Sequence, residues 1–385
     1  MLNQSSQIQR DPNCIDFGIG QPQLEILPRE LLWKASQGLL ARPNNAALNY
    51  GHPKGEGAFR YELANFLSPS YGCSIDPDSL FTSNGCSQAL HLIAHLFAQP
   101  GQTVLVEEPT YFLAHQIFRD RGLKLVGVPL QDGGVDLKAL EKLVKKHKPA
   151  LFYTIPVFQN PTGHTTSSEK REQVVKLADK HNFLVVADEV YQLLAYTTSP
   201  PPSYARHLDS ERVLAVGSFS KILAPALRLG WILSAPALQS KFLNYGLLKS
   251  GGGLNHYVSC LVGEALRNRS HQVYTEKVRR ELAYRVEVMD RCLKAKLSEH
   301  VEYTAPEGGY FFWLEMKDRS ANAGELLEYA KKHGTGFRQG ERFSSQGHFK
   351  NCLRLSFAHY NESTISVGVD RLAKAMGEYL NEGRE

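Results

Sequence analysis

Several short fragments of this chain set reactive side chains beside turn-forming residues. Ser218-Phe219-Ser220-Lys221 puts a lysine among small hydroxyl residues just after an apolar run, a setting that suits a lysine forming Schiff bases. Asp188-Glu189-Val190-Tyr191 ends another apolar run with carboxylates and a phenol. Gln159-Asn160-Pro161-Thr162-Gly163 offers a side-chain amide, and Arg228 follows Pro225. Gly85-Cys86-Ser87-Gln88 lies where an expected strand gives way to an expected helix. Small residues there expose backbone N–H groups and the positive end of the helix dipole, so the turn reads as a phosphate cradle or simply as a tight turn. Taken singly, each fragment is bland: Asn-Pro and Thr-Gly punctuate turns, aspartates cap helices, and lysines are usually solvated.

The elements that must position these groups change that reading. Short apolar runs at 81–83, 103–107, 123–129, 150–156, 183–187, 213–218 and 228–234 alternate with helical stretches such as 89–97. Runs without strict alternation suit strands covered on both faces, and the order implies a mainly parallel sheet wrapped by helices. Thr166 and Glu169 read as a capping box for a helix carrying Val174, Val175, Leu177 and Ala178. Beyond residue 270 the texture becomes a long charged helix over 274–297, with Glu281–Arg285 and Glu287–Arg291 at i,i+4. Apolar runs at 310–316 and 352–357 and helices over 323–333 and 363–380 follow. The expected division is an N-terminal segment, 1–30, joining a small α+β domain over 271–385, and a large domain over 31–270. With that sheet, a carboxylate, an amide, a phenol, a lysine and an arginine all fall at the carboxyl edge, where ligands bind in such folds. A carboxylate on a protonated pyridine nitrogen is the usual partner of pyridoxal phosphate. The residues permit this cofactor without selecting it.

From residue 15 to the C-terminus the chain resembles the fold type I pyridoxal-phosphate aminotransferases of class I/II. The resemblance rests on Gln159 to Gly163, Asp188 to Tyr191, Ser218 to Lys221 and Arg228-Leu229-Gly230, with Cys352-Leu353-Arg354-Leu355-Ser356-Phe357 similar to the family's carboxylate-binding motif. It implies a mainly parallel seven-stranded sheet with a smaller α+β domain. The opening Ile15-Asp16-Phe17-Gly18-Ile19-Gly20-Gln21-Pro22 and the run Pro306-Glu307-Gly308-Gly309-Tyr310-Phe311-Phe312-Trp313 look most like the branch of 2-aminoadipate, branched-chain and aromatic enzymes. Some members of that branch follow a winged-helix regulator domain, for which the dozen residues ahead of the motif leave no expected room.

Residue by residue, the resemblance implies that Lys221 holds the cofactor and then moves the substrate's α-proton. Asp188 would keep the pyridine nitrogen protonated, Tyr191 and Asn160 would hydrogen-bond the ring oxygen, and Tyr111 would stack on the ring. The phosphate would lie among Gly85, Cys86, Ser87, Ser218, Ser220 and Arg228, with Tyr50 reaching over from a neighbouring subunit. Arg354, the Gly20 backbone and Asn160 would clamp the substrate α-carboxylate. Cys86 departs from the family's more usual Ser, Gly or Ala. Residues 336–342 carry Arg338 and Arg342, and 249–253 bring Gly251, Gly252 and Gly253, where relatives differ. These departures leave the substrate side chain open.

Composition narrows the alternatives. A net charge of +5 from 44 Lys+Arg and 39 Asp+Glu helps attract anionic small molecules but gives no nucleic-acid stripe. No run has the length of a membrane span. The first twelve residues lack a signal pattern, and six scattered cysteines without a CxxC pair read as cytoplasmic thiols. His91 and His95, lacking an HExxH partner, are not expected to hold a metal. The expectation is a cytoplasmic homodimer with shared active sites, transferring amino groups between amino acids and 2-oxo acids by ping-pong kinetics. Rival readings are another pyridoxal-phosphate reaction on the same scaffold (lyase, substitution, oxidase or carbon–carbon bond formation) or a non-catalytic ligand sensor.

Overall fold

A computed structural model describes residues 13–131 and 134–382. Expectations resting on residues 1–12, including the start of the 1–30 segment, lie outside the described residues. The chain enters through β1 (Ile15–Asp16) and, after two helices, builds one large sheet. Its strands are β2 (Leu80–Ser83), β3 (Thr103–Glu108), β4 (Lys124–Gln131), β5 (Gly134–Val135), β6 (Leu151–Thr154), β7 (Leu184–Asp188), β8 (Val213–Ser218) and β9 (Gly230–Ser234). The order across the sheet is β2-β9-β8-β7-β6-β3-β4-β5. Strands β4, β3, β6, β7 and β8 are mutually parallel, while β9 runs antiparallel between β8 and β2.

All seven strands expected from the apolar runs are present. The sheet exceeds that expectation by β5, a two-residue antiparallel addition at the edge. Strands β2 and β6 to β9 are buried at every position, as continuous apolar runs require when helices cover both faces. The helix Cys86–Phe97 starts three residues earlier than its apolar stripe suggested, from Gly85 at φ +82°. The expected capping box is replaced by a simple cap one residue on. Ser167, not Thr166, accepts the Lys170 N–H to cap the helix Ser168–His181. Thr166 is drawn into the core, where its carbonyl accepts from the Arg171 Nε.

The helix Ser270–Leu297 leads from the large sheet to a second one. On it Glu281 and Arg285 pair at 2.9 Å, whereas Glu287 and Arg291 form no ion pair among the described residues. The second sheet, in the order β10-β11-β14-β13, comprises β10 (Val301–Glu302), β11 (Phe311–Met316), β13 (Arg338–Gln339) and β14 (Cys352–Ser356). The helices Ala323–Lys332 and Glu362–Glu382 accompany it. Between them β12 (Thr335–Gly336) pairs in parallel with β1, which ties the N-terminal segment to this module.

Candidate active site

Two of the expected groups leave the large sheet at adjacent strand ends. Asp188 closes β7, buried, and two donors fix its carboxylate: the Tyr153 hydroxyl on Oδ2 at 2.8 Å and the Cys86 thiol on Oδ1 at 3.2 Å. Burial raises its pKa, against the pull of Tyr153, Cys86, the Val190 N–H and the Lys221 charge. Lys221 lies three residues past β8, and its Nζ donates to the Gly20 carbonyl at 2.7 Å. The Tyr310 hydroxyl donates to the Lys221 carbonyl at 2.8 Å, and its ring centroid is 5.2 Å from Nζ. Loss of hydration, then the Arg354 and Arg228 charges, push the lysine down to about 8, with Asp188 opposing. That value makes the neutral, nucleophilic amine accessible near physiological pH.

A second cluster forms where β8, β9 and the Gly85 turn converge. Ser218 Oγ donates to Ser220 Oγ at 3.0 Å, and Arg228 Nη1 donates to Ser220 Oγ at 3.2 Å. Arg228 Nη2 reaches the Asn84 carbonyl at 3.4 Å. A Cβ on Gly85 would stand 2.9 Å from that Nη2, so only glycine admits the guanidinium this close to the first N–H groups of the helix. Ser87 is exposed on the first turn of the same helix.

The third cluster needs the small module. Arg354, on β14 and 3% exposed, donates Nη1 to Asn160 Oδ1 at 3.0 Å and Nη2 to the Gly18 carbonyl at 2.9 Å. Its Nε is buried without a partner, and among the described residues no carboxylate lies within ion-pair distance. Burial first, opposed by the Tyr191 interaction, lowers the guanidinium to about 9. Phe311 and Phe343 close over it, with centroids 3.9 and 5.0 Å from Cζ. Asn160 is held through its neighbour: Gln159 donates to Glu107 at 3.1 Å and to the Pro109 carbonyl at 2.7 Å. Tyr191 packs on Tyr310 and Phe311 at 5.7 and 6.1 Å. Tyr111 begins the helix Phe112–Asp120, where burial and the Asp188 charge raise its phenol.

Three more of the expected residues have these surroundings. Gly18 supplies the carbonyl that accepts from Arg354, and Gly20, where a Cβ would lie 3.7 Å from Arg354 Nη2, supplies the one that accepts from Lys221. The Cys86 side chain is spent on Asp188 and not on the phosphate turn. Tyr50 is 83% exposed, over the Gly252-Gly253 turn. Of the two arginines noted in 336–342, Arg338 lies 3.5 Å from Asp16, and Arg342 lies over Phe112 at 5.2 Å. Sequence reasoning missed Tyr153, Tyr310, Gly18 and Glu107. A tyrosine inside an aliphatic buried strand, as at 153, needs a polar partner, and that was the available signal.

Residues 12–372 match the family model described as aminotransferase class I and II. The chain belongs to that family. An aromatic-amino-acid aminotransferase of Thermococcus litoralis is 30% identical over 96% of this chain and 89% of its own length. The α-aminoadipate aminotransferase of Thermus thermophilus, solved with N-(5′-phosphopyridoxyl)-L-leucine, superposes with a TM-score of 0.87 at 30% identity, covering 97% of this chain and 96% of that one. The kynurenine aminotransferase of Pyrococcus horikoshii reaches 0.89 at 31% identity, over 96% and 92%. The protein is thus an aminotransferase of the fold type I class, and its cofactor is pyridoxal 5′-phosphate. The aminotransferase's own residues fit that group. The cradle that a Cβ at Gly85 would fill suits a phosphate, Asp188 suits a pyridinium, and Lys221 suits an aldehyde carbon.

Proposed function

We propose that this aminotransferase works on α-amino acids and 2-oxo acids at the meeting point of Asp188, Lys221 and Arg354, in two successive half-reactions. Arg354 carries the reading. A buried arginine with an orphaned Nε and no carboxylate is costly unless a ligand supplies the missing charge. The fork of a guanidinium matches an α-carboxylate in bidentate fashion. Asn160 Oδ1 faces the arginine, which leaves the amide NH2 as its free donor.

Lys221 would hold pyridoxal phosphate until a substrate amine takes its place, and the bound cofactor would then supply an electron sink for negative charge developing at the substrate's α-carbon. The protein's part is to bind, orient and move protons. Gly85, the N–H groups at Cys86 and Ser87, the Ser218 and Ser220 hydroxyls and Arg228 hold the phosphate. Tyr111 covers the ring, and Tyr191 with Asn160 donates to its oxygen. Asp188 keeps the ring nitrogen protonated. With the carboxylate fixed at Arg354, the α-C–H bond would stand toward Lys221, whose neutral Nζ would take the proton. Phe311 and Phe343 keep water from the arginine.

The same reading makes the protein a cytoplasmic homodimer. Tyr50 at 83% and Leu48 at 66% exposure suit a segment covered by a second copy, with Tyr50 completing the partner's phosphate site. No helix among the described residues is long and apolar enough to cross a membrane. The proposed division keeps 1–30 with 271–385 around 31–270, supported by the pairing of β1 with β12. The test is a half-reaction: adding one amino acid without an acceptor should shift the cofactor's absorption band and release one equivalent of the matching 2-oxo acid. Turnover only when both substrates are present together would reject the two-step scheme, and no band shift with any amino acid would reject the site.

A further inference from the structure

Cys86 is the one residue of the phosphate turn whose side chain leaves it. Its thiol donates to Asp188 Oδ1 at 3.2 Å, while Tyr153 donates to Oδ2 at 2.8 Å. Each carboxylate oxygen thus has one side-chain donor from the protein, and the two donors come from separate elements, a helix N-terminus and β6. A carboxylate gripped at both oxygens cannot rotate about its Cβ–Cγ bond without losing a hydrogen bond in a buried site, where such a loss is costly.

We propose that Cys86 is a positioning residue for the amino-transfer reaction, aiming Asp188 and setting its hold on the ring-nitrogen proton. The proposal rests on the assignment of Asp188 to that nitrogen. Hydrogen bonds to the charged form of a carboxylate lower its proton affinity. With the thiol in place, the proton between Asp188 and the ring nitrogen stays with the nitrogen. Without it, the carboxylate draws the proton back, less positive charge remains near the Lys221 nitrogen, and the proton on that nitrogen is held more tightly. The titratable groups facing Asp188 from the surrounding elements are Tyr153, Cys86, Lys221, Tyr111, Tyr71, Tyr191, Glu107 and Glu189. Of these, Tyr153 and Cys86 reach it with side-chain hydrogen bonds. The thiol also links two functions in space: the same residue gives its backbone to the phosphate turn and its side chain to the far end of the ring.

The test compares Cys86→Ala, Cys86→Ser and Asp188→Asn holoenzymes by pH titration of the bound cofactor's absorption band, alongside the cofactor dissociation constant. Cys86→Ala should move the band midpoint upward by about half a pH unit and lower kcat several-fold, with the dissociation constant changed less than threefold. Cys86→Ser, which restores an O–H donor, should return the midpoint toward the wild-type value. An unmoved midpoint in Cys86→Ala, with Asp188→Asn strongly shifted, would overturn the role of Cys86 while leaving that of Asp188 intact. A shift in Cys86→Ala that serine fails to reverse would mark a packing effect and also overturn it. If Asp188→Asn itself leaves both band and turnover unchanged, the assignment of Asp188 falls, and the proposal with it.

Discussion

Two buried arginines, both 3% exposed or less, sit in opposite regions of the molecule and are treated differently. Arg171, behind the large sheet, is saturated. Its Nε donates to the Thr166 carbonyl at 3.0 Å, Nη1 to Pro202 at 2.7 Å and Nη2 to Pro156 at 3.1 Å, with the Glu189 carboxylate 4.0 Å away. That carboxylate in turn takes the Ser203 hydroxyl and the Tyr204 N–H. Arg354, at the junction with the small module, has two hydrogen bonds, an unpartnered Nε and, among the described residues, no carboxylate within ion-pair distance. Burial alone therefore does not mark a functional cation. A deficit of partners does, because the protein pays for desolvation there and leaves the compensating charge to arrive from outside.

The sharpest way to break this contrast is to remove the amine that the deficient region serves. Lys221→Ala lowers amino-transfer turnover by about 10,000-fold or more and leaves the cofactor dialysable, while the far-ultraviolet circular dichroism stays unchanged. Borohydride reduction and peptide mapping that tagged another lysine would move the centre elsewhere. The next test uses the arginines themselves. Arg354→Lys keeps the charge but not the fork, and should cost about 100-fold in kcat/KM for amino acids, or about 3 kcal/mol of transition-state binding, with little change in melting temperature. Arg171→Met should do the reverse, losing about 3–5 kcal/mol of stability by stranding Glu189, with kcat/KM per folded molecule nearly unchanged. If the two variants behave alike, counting partners does not separate binding arginines from structural ones.

Two pH experiments sharpen the picture with smaller effects. Since Lys221 is lowered to about 8 and only its neutral form attacks an aldehyde, reattachment of pyridoxal phosphate to the stripped protein should speed up as pH rises toward 8. The rate should gain about tenfold per unit at the lower pH values and level off above 8. A rate still climbing tenfold per unit above pH 9 would show an ordinary solvated lysine. His271 is buried with both ring nitrogens unpartnered, and loss of hydration lowers it to about 3. A folded-state value below the unfolded one gives stability that is present above about pH 6.5 and lost as pH falls toward 3. His271→Phe should remove up to about 2 kcal/mol of the destabilisation between about pH 7 and pH 5, at about 1.4 kcal/mol per unit below 6.5. Urea unfolding at both pH values measures it, and equal acid losses in the two proteins would assign the sensitivity to other groups.

Much of the large-sheet half of the site was legible in the sequence. Asp188 and Lys221 follow apolar strands by at most three residues, so local pattern places them at one edge. Ser218 and Ser220 follow by the same logic, whereas Asn160 lies six residues beyond β6 and Arg228 two residues before β9. The groups that orient them were not legible. Tyr310 reaches Lys221 across 89 positions, Gly18 reaches Arg354 across 336, and Tyr153 reaches Asp188 across 35. The first two contacts depend on how the modules pack and the third on the register of β6 against β7, which no spacing rule records. Thr166 has the capping-box spacing to Glu169 that Ser167, with Lys170 at that position, lacks; Thr166 is buried, and Ser167 is the cap.

The ribbon from Ile15 to Gly20 behaves mechanically as a lever. Backbone bonds fasten it to the small module: Ile15 N–H to the Gly334 carbonyl, Phe17 N–H to Gly336 and Ser356 N–H to Phe17. Its free end carries the two carbonyls that hold Arg354 and Lys221. Arg354 rides on the sheet to which the ribbon is fastened, whereas Lys221 belongs to the large sheet. A tilt of the small module would therefore carry Gly18 along with Arg354 but draw Gly20 away from Lys221. Seating a carboxylate and unlatching the amine would then be one displacement.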